Sequence, residues 1–204
     1  SLKTFLKKGF LEKTVRNSPQ VATAVDKIFR RRVIGLKGAA LADFDRHVIT
    51  RELSQGPSGL NISGTLGGVG NLFSFIGFES GANPITLVRA VLKAHFNLHG
   101  AQRKLRGNKG VRAFRYSLSF PVLSSFDSVS SMPWETGNSW VKGVEQGISG
   151  FSNYMYLNHG EGKAIREKSR SGAAVQSKRE INIGFFKPTK YISEILDKYR
   201  KRLD

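Results

Sequence analysis

A glycine-rich segment with the sequence ISGTLGGVGNLFSFIGF occupies residues 62–78 and restricts the fold more than any other stretch of the chain. Glycine is favoured where the backbone needs a positive φ angle or where another chain passes close to it. Residues 54–71 are therefore predicted to form a tight, shaped loop. The apolar run 72–78 that follows is predicted to form a short strand.

The same segment has the outline of a phosphate-binding loop, but it lacks the residues that such a loop needs. In the P-loop pattern a lysine neutralises the phosphates and the next hydroxyl holds magnesium. Here Asn71 stands at the lysine position and Leu72 at the hydroxyl position. The dinucleotide pattern G-x-G-x-x-G fails as well, because Phe73 replaces its last glycine. No nucleotide and no other cofactor is predicted.

No other pattern predicts catalysis or metal binding. His95 and His99 are four residues apart, but the HFNLH sequence has no glutamate for a metalloprotease and no evident third ligand. The segment 147–151, GISGF, lacks the second glycine of a serine-hydrolase signature. Asp43 and Asp45 are two residues apart and lie on different helix faces. With no cysteine in the chain, disulfides and thiolate sites are excluded, and we predict a protein that is not an enzyme.

Apolar residues at helical spacing predict five helices. The first begins with Ser18-Pro19 and ends at Arg30-Arg31-Arg32. A second contains Ala40, Phe44 and Val48 and ends before Gln55. The other three are predicted to begin at Asn83-Pro84, at Ser131-Met132-Pro133 and at Pro188-Thr189, the last with Ile192, Ile195, Leu196, Tyr199 and Leu203 on its buried side.

Alternation of apolar and polar residues over 114–122 predicts the clearest strand, preceded by a hairpin turn at residues 107–110. Further strands are predicted at 153–157 and 181–186. The sum is an α+β fold, a small and mostly antiparallel sheet packed with helices, with long extended loops. We predict an N-terminal helical arm over residues 1–53 and an α+β domain over 54–204, with a long basic loop at 158–180.

The charge is strongly positive, because 33 Lys and Arg face 15 Asp and Glu to give a net charge of +18. Such an excess indicates a polyanionic neighbour, either nucleic acid or an acidic protein surface, although a solvated face would look the same. One cluster lies around the predicted hairpin tip and is the candidate contact for DNA or an acidic partner: Arg103, Lys104, Arg106, Lys109 and Arg112. The longest apolar runs are too short to span a bilayer, and no signal peptide or membrane association is predicted.

Several blocks resemble the neck or tail-completion proteins, also called head–tail connectors, of tailed bacteriophages. The blocks are 61–68 (NISGTLGG), 70–78 (GNLFSFIGF), 134–140 (WETGNSW), 147–151 (GISGF) and 169–172 (SRSG). The resemblance implies contact residues within these blocks: Gly64, Thr65, Gly67, Gly68, Gly70, Asn71, Phe73, Phe75, Trp134, Trp140 and Arg170.

The resemblance also implies a function. The chain would be a structural protein of the virion, made in the host cytoplasm, that forms one subunit of a ring between portal and tail. DNA would pass through the ring, and the partners would be further copies of the chain together with portal, adaptor and tail proteins. Non-specific DNA contact in the channel stays open. The alternative is a basic nucleic-acid-binding or ribosome-associated protein.

Overall fold

The computed structural model describes residues 19–68, 70–99, 104–106, 112–114, 116–133, 135–147 and 186–202. These residues form α-helices, two 3₁₀ segments and three two-stranded antiparallel pairs, so the predicted α+β class is confirmed. The described strands do not join into the one small sheet that the sequence suggested. The predicted strand at 153–157 and the predicted loop at 158–180 lie outside the described residues. Of the predicted strand 181–186 only Phe186 is described, and it is not in a strand.

The chain divides into two compact units. The first contains residues 1–38 and 95–120, and the second contains residues 39–94 and 121–204. The predicted boundary between residues 53 and 54 falls inside the second unit. Glu52, on one side of that boundary, is hydrogen bonded to Asn61 and Leu72 on the other side.

The first helix, α1, spans Pro19–Arg46. Pro19 is its first residue, as predicted, because the φ angle of proline suits the first helical turn and its missing N–H has no partner there. The predicted end at Arg30-Arg31-Arg32 is wrong, since the helix continues through Gly35 and Gly38. Glycine lowers helix propensity by about 1 kcal/mol relative to alanine but leaves the backbone hydrogen bonds intact.

Strands of the first unit form two antiparallel pairs. Strand β1 (Asn97–His99) pairs with β4 (Ser117–Ser119), and β2 (Lys104–Arg106) pairs with β3 (Arg112–Phe114). The antiparallel β2–β3 pairing agrees with the predicted hairpin, although the turn residues 107–110 lie outside the described part. The predicted strand over 114–122 is divided in the structure, because Phe114 ends β3, residues 117–119 form β4, and residues 120–122 are in no strand. Phe120 packs edge-on against Phe96 with 4.8 Å between ring centroids.

The predicted second helix is split, because Ala40 and Phe44 belong to α1, which stops at Arg46, whereas Val48 begins α2. Helix α2 spans Val48–Ser54 and ends before Gln55 as predicted. A 3₁₀ turn at Gly56–Ser58 leads into residues 59–71, which are called the glycine-rich loop below. The predicted strand at 72–78 is wrong, because Leu72–Ile76 form a short helix, α3. All five residues of α3 are buried, so the segment is apolar on every side and its periodicity could not separate a helix from a buried strand.

Helix α4 spans Pro84–His95 and begins at the predicted proline. The helix predicted from Ser131 begins later, because a short hairpin of β5 (Ser131–Met132) and β6 (Glu135–Ser139) comes first. Helix α5 then covers Trp140–Gln146, where the Ser139 hydroxyl accepts a hydrogen bond from the Lys142 amide at 3.3 Å. It stops at the predicted Gly147.

The last helix, α6, spans Ile192–Arg200 and starts later than the predicted Pro188-Thr189. Its start is set from outside the helix, because the Glu145 carboxylate on α5 accepts a hydrogen bond from the Ser193 amide at 2.8 Å. A negative charge there also suits the helix dipole. The predicted buried side is confirmed for the members that the structure describes: Ile192, Ile195, Leu196 and Tyr199.

Candidate functional site

The carboxylate of Glu52 on α2 fixes the glycine-rich loop to the second unit. Glu52 is 0% exposed. Its Oε1 accepts hydrogen bonds from the Asn61 side-chain amide at 2.8 Å and from the Leu72 backbone amide at 2.6 Å. Its Oε2 accepts a hydrogen bond from the Ser63 backbone amide at 2.9 Å. These bonds connect both ends of the loop to α2.

Asn61 organises the interior of the loop. Its Oδ1 accepts hydrogen bonds from the backbone amides of Leu66 at 2.9 Å and Gly68 at 3.1 Å. Its Nδ2 lies 3.0 Å from the Thr65 hydroxyl as well as 2.8 Å from Glu52. A single buried side chain therefore holds the turn on one side and contacts the Glu52 carboxylate on the other.

These contacts explain why the loop does not have the geometry of a phosphate cradle. Such a cradle presents free backbone amides to the anion. Here the amides of Ser63, Leu66 and Gly68 already donate to side chains of the protein. A buried carboxylate also lies behind the loop, where a phosphate would need positive charge. The prediction of no nucleotide therefore has a geometric rationale as well as a motif-based one.

The glycines serve the backbone path of the loop. Gly64, Gly67, Gly68 and Gly70 have φ angles of 69°, 65°, 86° and 69°, a region that side-chain-bearing residues rarely adopt. A Cβ atom added at Gly64, Gly68 or Gly70 would meet no atom within 4 Å. The sequence left open whether the glycines provide conformation or allow close approach, and within the chain the need at these three positions is conformational.

Asn71, at the position where a P-loop has lysine, is the N-cap of α3. Its Oδ1 accepts a hydrogen bond from the Ser74 amide at 2.7 Å, and its Nδ2 donates to the Pro57 carbonyl at 2.7 Å. The side chain thus begins the helix and closes the loop at the same time. Because the apolar run after Asn71 predicts a strand, the sequence does not identify this N-cap.

Asn71→Ala is expected to lower the free energy of unfolding by about 2 kcal/mol, because both the helix cap and the bond to Pro57 are lost. Asn71→Ser keeps a capping hydroxyl but cannot reach Pro57, so its loss should be smaller. Urea unfolding measures both. Asn138→Ala, at an exposed position on β6, is the control, and an Asn71→Ala variant as stable as that control would contradict the capping role.

Three of the aromatic residues predicted as contact residues are described, and they lie in the core of the second unit. Phe73 and Trp140 are almost fully buried, as is Phe75. The Phe73 ring packs on Phe78 at 5.3 Å, and Phe78 meets Trp140 edge-on at 5.8 Å. Thr65 and Asn71 are buried as well. These buried side chains pack beneath the loop on its core side. The predicted site residues that lie outside the described part of the chain are Trp134, Arg170, Arg103 and Lys109.

Two apolar side chains of the loop are exposed, and the sequence did not single them out. Leu60 is 75% exposed and Ile62 is 40% exposed, on either side of the buried Asn61. The Ile62 amide donates a hydrogen bond to the Leu60 carbonyl at 2.8 Å, so the backbone makes a tight turn centred on Asn61, with the Asn61 side chain inside and its two neighbours outside. The bonds to Asn61 therefore hold both residues toward solvent.

The described segment at 186–189 returns to the glycine-rich loop. The Lys187 amide donates to the Thr65 carbonyl at 2.8 Å, and the Phe186 ring stacks on Phe75 at 5.6 Å. A Cβ atom on Gly147 would lie 3.6 Å from Pro188. The chain therefore leaves α5 at Gly147, and the described segment that starts at Phe186 passes beside the same residue.

The predicted basic cluster lies in the first unit, on a hairpin whose backbone is partly described. Lys104 is opposite Phe114 in the register, and Arg106 is opposite Arg112.

A second polar cluster joins the end of α1 to α6 within the second unit. The Asp43 carboxylate accepts hydrogen bonds from Lys198 at 2.6 Å, from Tyr199 at 2.7 Å and from Arg46 at 2.9 Å. The bond from Lys198, followed by that from Tyr199, lowers the pKa of Asp43 to about 2. Burial and the same bond to Asp43 raise the pKa of Tyr199 to about 12.

The lowered pKa of Asp43 predicts loss of stability in acid. The ionised carboxylate stabilises the folded chain fully above its ordinary pKa of 3.8, and this contribution is lost as the pH falls from 3.8 through about 2. NMR titration of Asp43 should give a midpoint near the lower value. Asp43→Asn should be less stable than the natural chain at neutral pH and should lack this part of the acid dependence. A midpoint near 3.8 would contradict the prediction.

The histidines do not form a metal site in the described residues. His95 is the last residue of α4 and His99 lies in β1, so they do not share a helix face. His47 separates α1 from α2, and its Nδ1 accepts a hydrogen bond from the Ile49 amide at 3.2 Å. Burial lowers the pKa of His47, which favours the neutral ring that this bond requires. His159 lies outside the described residues.

Within the described ranges, no group of three or more His, Asp or Glu side chains is placed to hold a metal ion. None of the helices that the structure describes has both the length and the apolar character needed to cross a bilayer. Comparison of the chain with protein-family models, curated proteins and solved structures finds no match.

Proposed function

We propose that this chain is a non-enzymatic structural protein of a phage virion, a ring-forming subunit of the neck that completes the tail or connects it to the head. The proposal starts from the sequence resemblance of the blocks around residues 61–78, 134–140 and 147–151. The virion partners would be portal, adaptor and tail proteins, and DNA would pass through the ring.

The observation that carries the proposal is the bond between Thr65 and Lys187. The resemblance implies contact residues both in the glycine-rich segment, Gly64 to Phe75, and in the basic segment 158–180, where Arg170 lies. The Thr65–Lys187 bond fixes the chain that returns from the second segment to the loop of the first. The loop that Glu52 and Asn61 hold is thus hydrogen bonded to the described residues that follow the basic segment, and we propose both segments as contacts for neighbouring subunits.

The exposed pair Leu60 and Ile62 is the proposed subunit contact on the loop. In a ring every interface is heterologous, so this pair would meet a different surface on the next copy. A fixed loop loses little conformational entropy when it binds, which favours assembly. The glycines then have a second use, since a neighbouring chain could approach the exposed backbone of Gly64, Gly67 and Gly68 closely.

The net charge gives this assembly a distinctive salt dependence. Copies that each carry +18 repel one another, so association through apolar contacts should strengthen as salt screens that repulsion. Binding to nucleic acid has the opposite dependence, because salt competes with the release of counterions. The alternative function, a basic nucleic-acid-binding or ribosome-associated protein, is favoured by the same +18 charge and is separated from the ring by this test.

The experiment is negative-stain electron microscopy and mass photometry of the purified chain across a salt series. Rings that increase with salt are expected, and Leu60→Ser with Ile62→Ser should abolish them without changing the circular dichroism spectrum. The matched control is Leu87→Ser with Val122→Ser, which removes apolar side chains at other exposed positions. Mass spectrometry of purified particles should detect the chain. A chain that stays monomeric at every salt concentration and is absent from particles would refute the proposal.

Binding of random duplex DNA and RNA is measured in the same salt series. Micromolar or tighter binding that falls steeply with salt, together with absence of rings, would favour the alternative function.

A further inference from the structure

The part of α1 that belongs to the first unit has an exposed face that combines apolar and basic side chains. Ile28 is 66% exposed and Ile34 is 69% exposed, although isoleucine is among the residues most often buried. Arg31 lies three residues from each, so the three side chains fall within a sector of about 120° on the helix. Val33, whose position points away from Arg31 on the helix, is buried.

The basic groups of this face have no acidic partner in the part of the chain that the structure describes. The nearest carboxylate along the helix, that of Asp26, pairs with Arg30 at 2.6 Å. Lys27 and Arg31, one helical turn apart, form no described ion pair. The face therefore presents unneutralised positive charge beside exposed apolar surface.

Two glycines, Gly35 and Gly38, continue the same face into the C-terminal half of α1. A Cβ atom added at Gly35 or Gly38 would meet nothing within 4 Å, so packing inside the chain does not require either glycine. Glycine is one of the poorest helix formers, and the backbone at both positions is helical and needs no positive φ angle. Small residues on a helix surface leave room for another backbone to approach closely.

We propose that this outer face of α1 binds an acidic amphipathic helix of another protein. We define the outer face of α1 by six residues: Lys27, Ile28, Arg31, Ile34, Gly35 and Gly38. Carboxylates of the partner would pair with Lys27 and Arg31, and its apolar side chains would cover the two isoleucines. The proposal goes beyond the proposed function, since it requires neither a ring nor a virion.

The chemistry of the face distinguishes this partner from two others. A second copy of the same face would place Lys27 and Arg31 opposite like charges, which opposes a symmetric dimer. A nucleic acid duplex would pair its phosphates with the basic side chains. It would leave Ile28 and Ile34 without apolar contact, because the phosphate backbone is polar. An acidic helix complements both the charge and the apolar area.

The test uses the full chain and a fluorescent synthetic peptide of about 20 residues, a length that supports helix formation. The peptide carries leucine and alanine on one face and glutamate beside it. Fluorescence anisotropy should show salt-sensitive binding, at least about tenfold tighter than that of a scrambled peptide of the same composition. Ile28→Ser with Ile34→Ser, and separately Lys27→Glu with Arg31→Glu, should each weaken binding by about tenfold or more.

The matched controls are Leu87→Ser with Val122→Ser for the apolar change and Lys93→Glu with Lys201→Glu for the charge change, all at exposed positions. The affinity of these controls for the peptide should lie within about twofold of that of the natural chain, a difference in binding free energy of less than RT. Equal binding of the scrambled peptide would overturn the proposal. So would tighter binding of duplex DNA that does not respond to loss of the isoleucines. Rings can form or fail to form in either case, so the two proposals fail separately.

The double variant Gly35→Ala with Gly38→Ala separates a contact role of the two glycines from a purely structural role. Alanine at both positions should raise the thermal midpoint of α1 unfolding, because its helix propensity is higher. The same variant should bind the peptide about tenfold more weakly if the two backbones approach each other there. A more stable chain with unchanged peptide binding would remove the glycines from the proposed contact.

Discussion

Replacing Glu52 by glutamine is expected to lower the free energy of unfolding by about 3 kcal/mol. Glutamine has nearly the same shape, but one of its two oxygen positions becomes an NH₂ group. The backbone amides of Ser63 and Leu72 donate to different oxygens of the carboxylate, so at least one of them would face a donor instead of an acceptor. A buried amide without an acceptor costs about 1–3 kcal/mol, and bonds to a charged acceptor are the stronger kind.

Urea unfolding followed by tryptophan fluorescence measures the overall loss for Glu52→Gln. Hydrogen exchange at the amides of Ser63 and Leu72 measures the local effect, and faster exchange is expected at both. Glu79→Gln is the matched control, since Glu79 is exposed and a change there should fall within about 0.5 kcal/mol. Equal midpoints for the two variants would show that the carboxylate does not hold the loop.

Asn61→Ala combined with Glu52→Gln extends the same test to the interior of the loop. Because the two side chains are hydrogen bonded at 2.8 Å, their effects should not add. The double variant is expected to lose less stability than the sum of the two single variants. An additive result would mean that Asn61 holds the turn independently of the carboxylate.

Several element boundaries could be predicted from the sequence because their signals are local. Proline begins α1 and α4 at Pro19 and Pro84, and Gly147 ends α5. In each case the preference of one residue type for one backbone conformation is enough. The buried side of α6 was likewise predictable, since its apolar residues repeat at helical spacing and its opposite side is charged.

The boundaries that failed depend on contacts between distant residues. Helix α6 begins at Ile192 because Glu145 on another helix caps it, and no residue near Pro188 carries that information. The run 72–76 is apolar on all sides because the fold buries all of it, so its periodicity does not distinguish a helix from a strand. Tertiary contacts override local propensity at both places.

The core of the candidate site was not predictable for a related reason. Glutamate is rarely fully buried, and nothing in the sequence near Glu52 predicts that it contacts the loop. Its hydrogen-bond partners lie between nine and twenty residues away. The glycines of the loop were correctly singled out, and the structure sharpens their meaning. They give a conformation that is held from inside by Glu52 and Asn61, with Leu60 and Ile62 on the outside.

Trp140→Ala is expected to lower the free energy of unfolding of the isolated chain by about 4 kcal/mol. The residue is 1% exposed, and its ring meets Phe78 edge-on at 5.8 Å and lies 6.4 Å from Tyr191. Truncation would leave a cavity at the first residue of α5, directly beneath aromatic side chains that support the glycine-rich loop. For a chain of this size the loss corresponds to a fall of roughly 8–16 °C in the thermal midpoint.

The same variant decides between the two roles that Trp140 can have. The sequence resemblance implies a contact residue, whereas its burial in the second unit predicts a core residue. A core residue affects the isolated chain whether or not a partner is present, so differential scanning calorimetry of the purified chain is the measurement. Leu87→Ala, at an exposed position on α4, is the control and should change stability by less than about 0.5 kcal/mol. If Trp140→Ala is as stable as that control and only assembly is lost, the tryptophan acts between subunits and the core packing described for it is wrong.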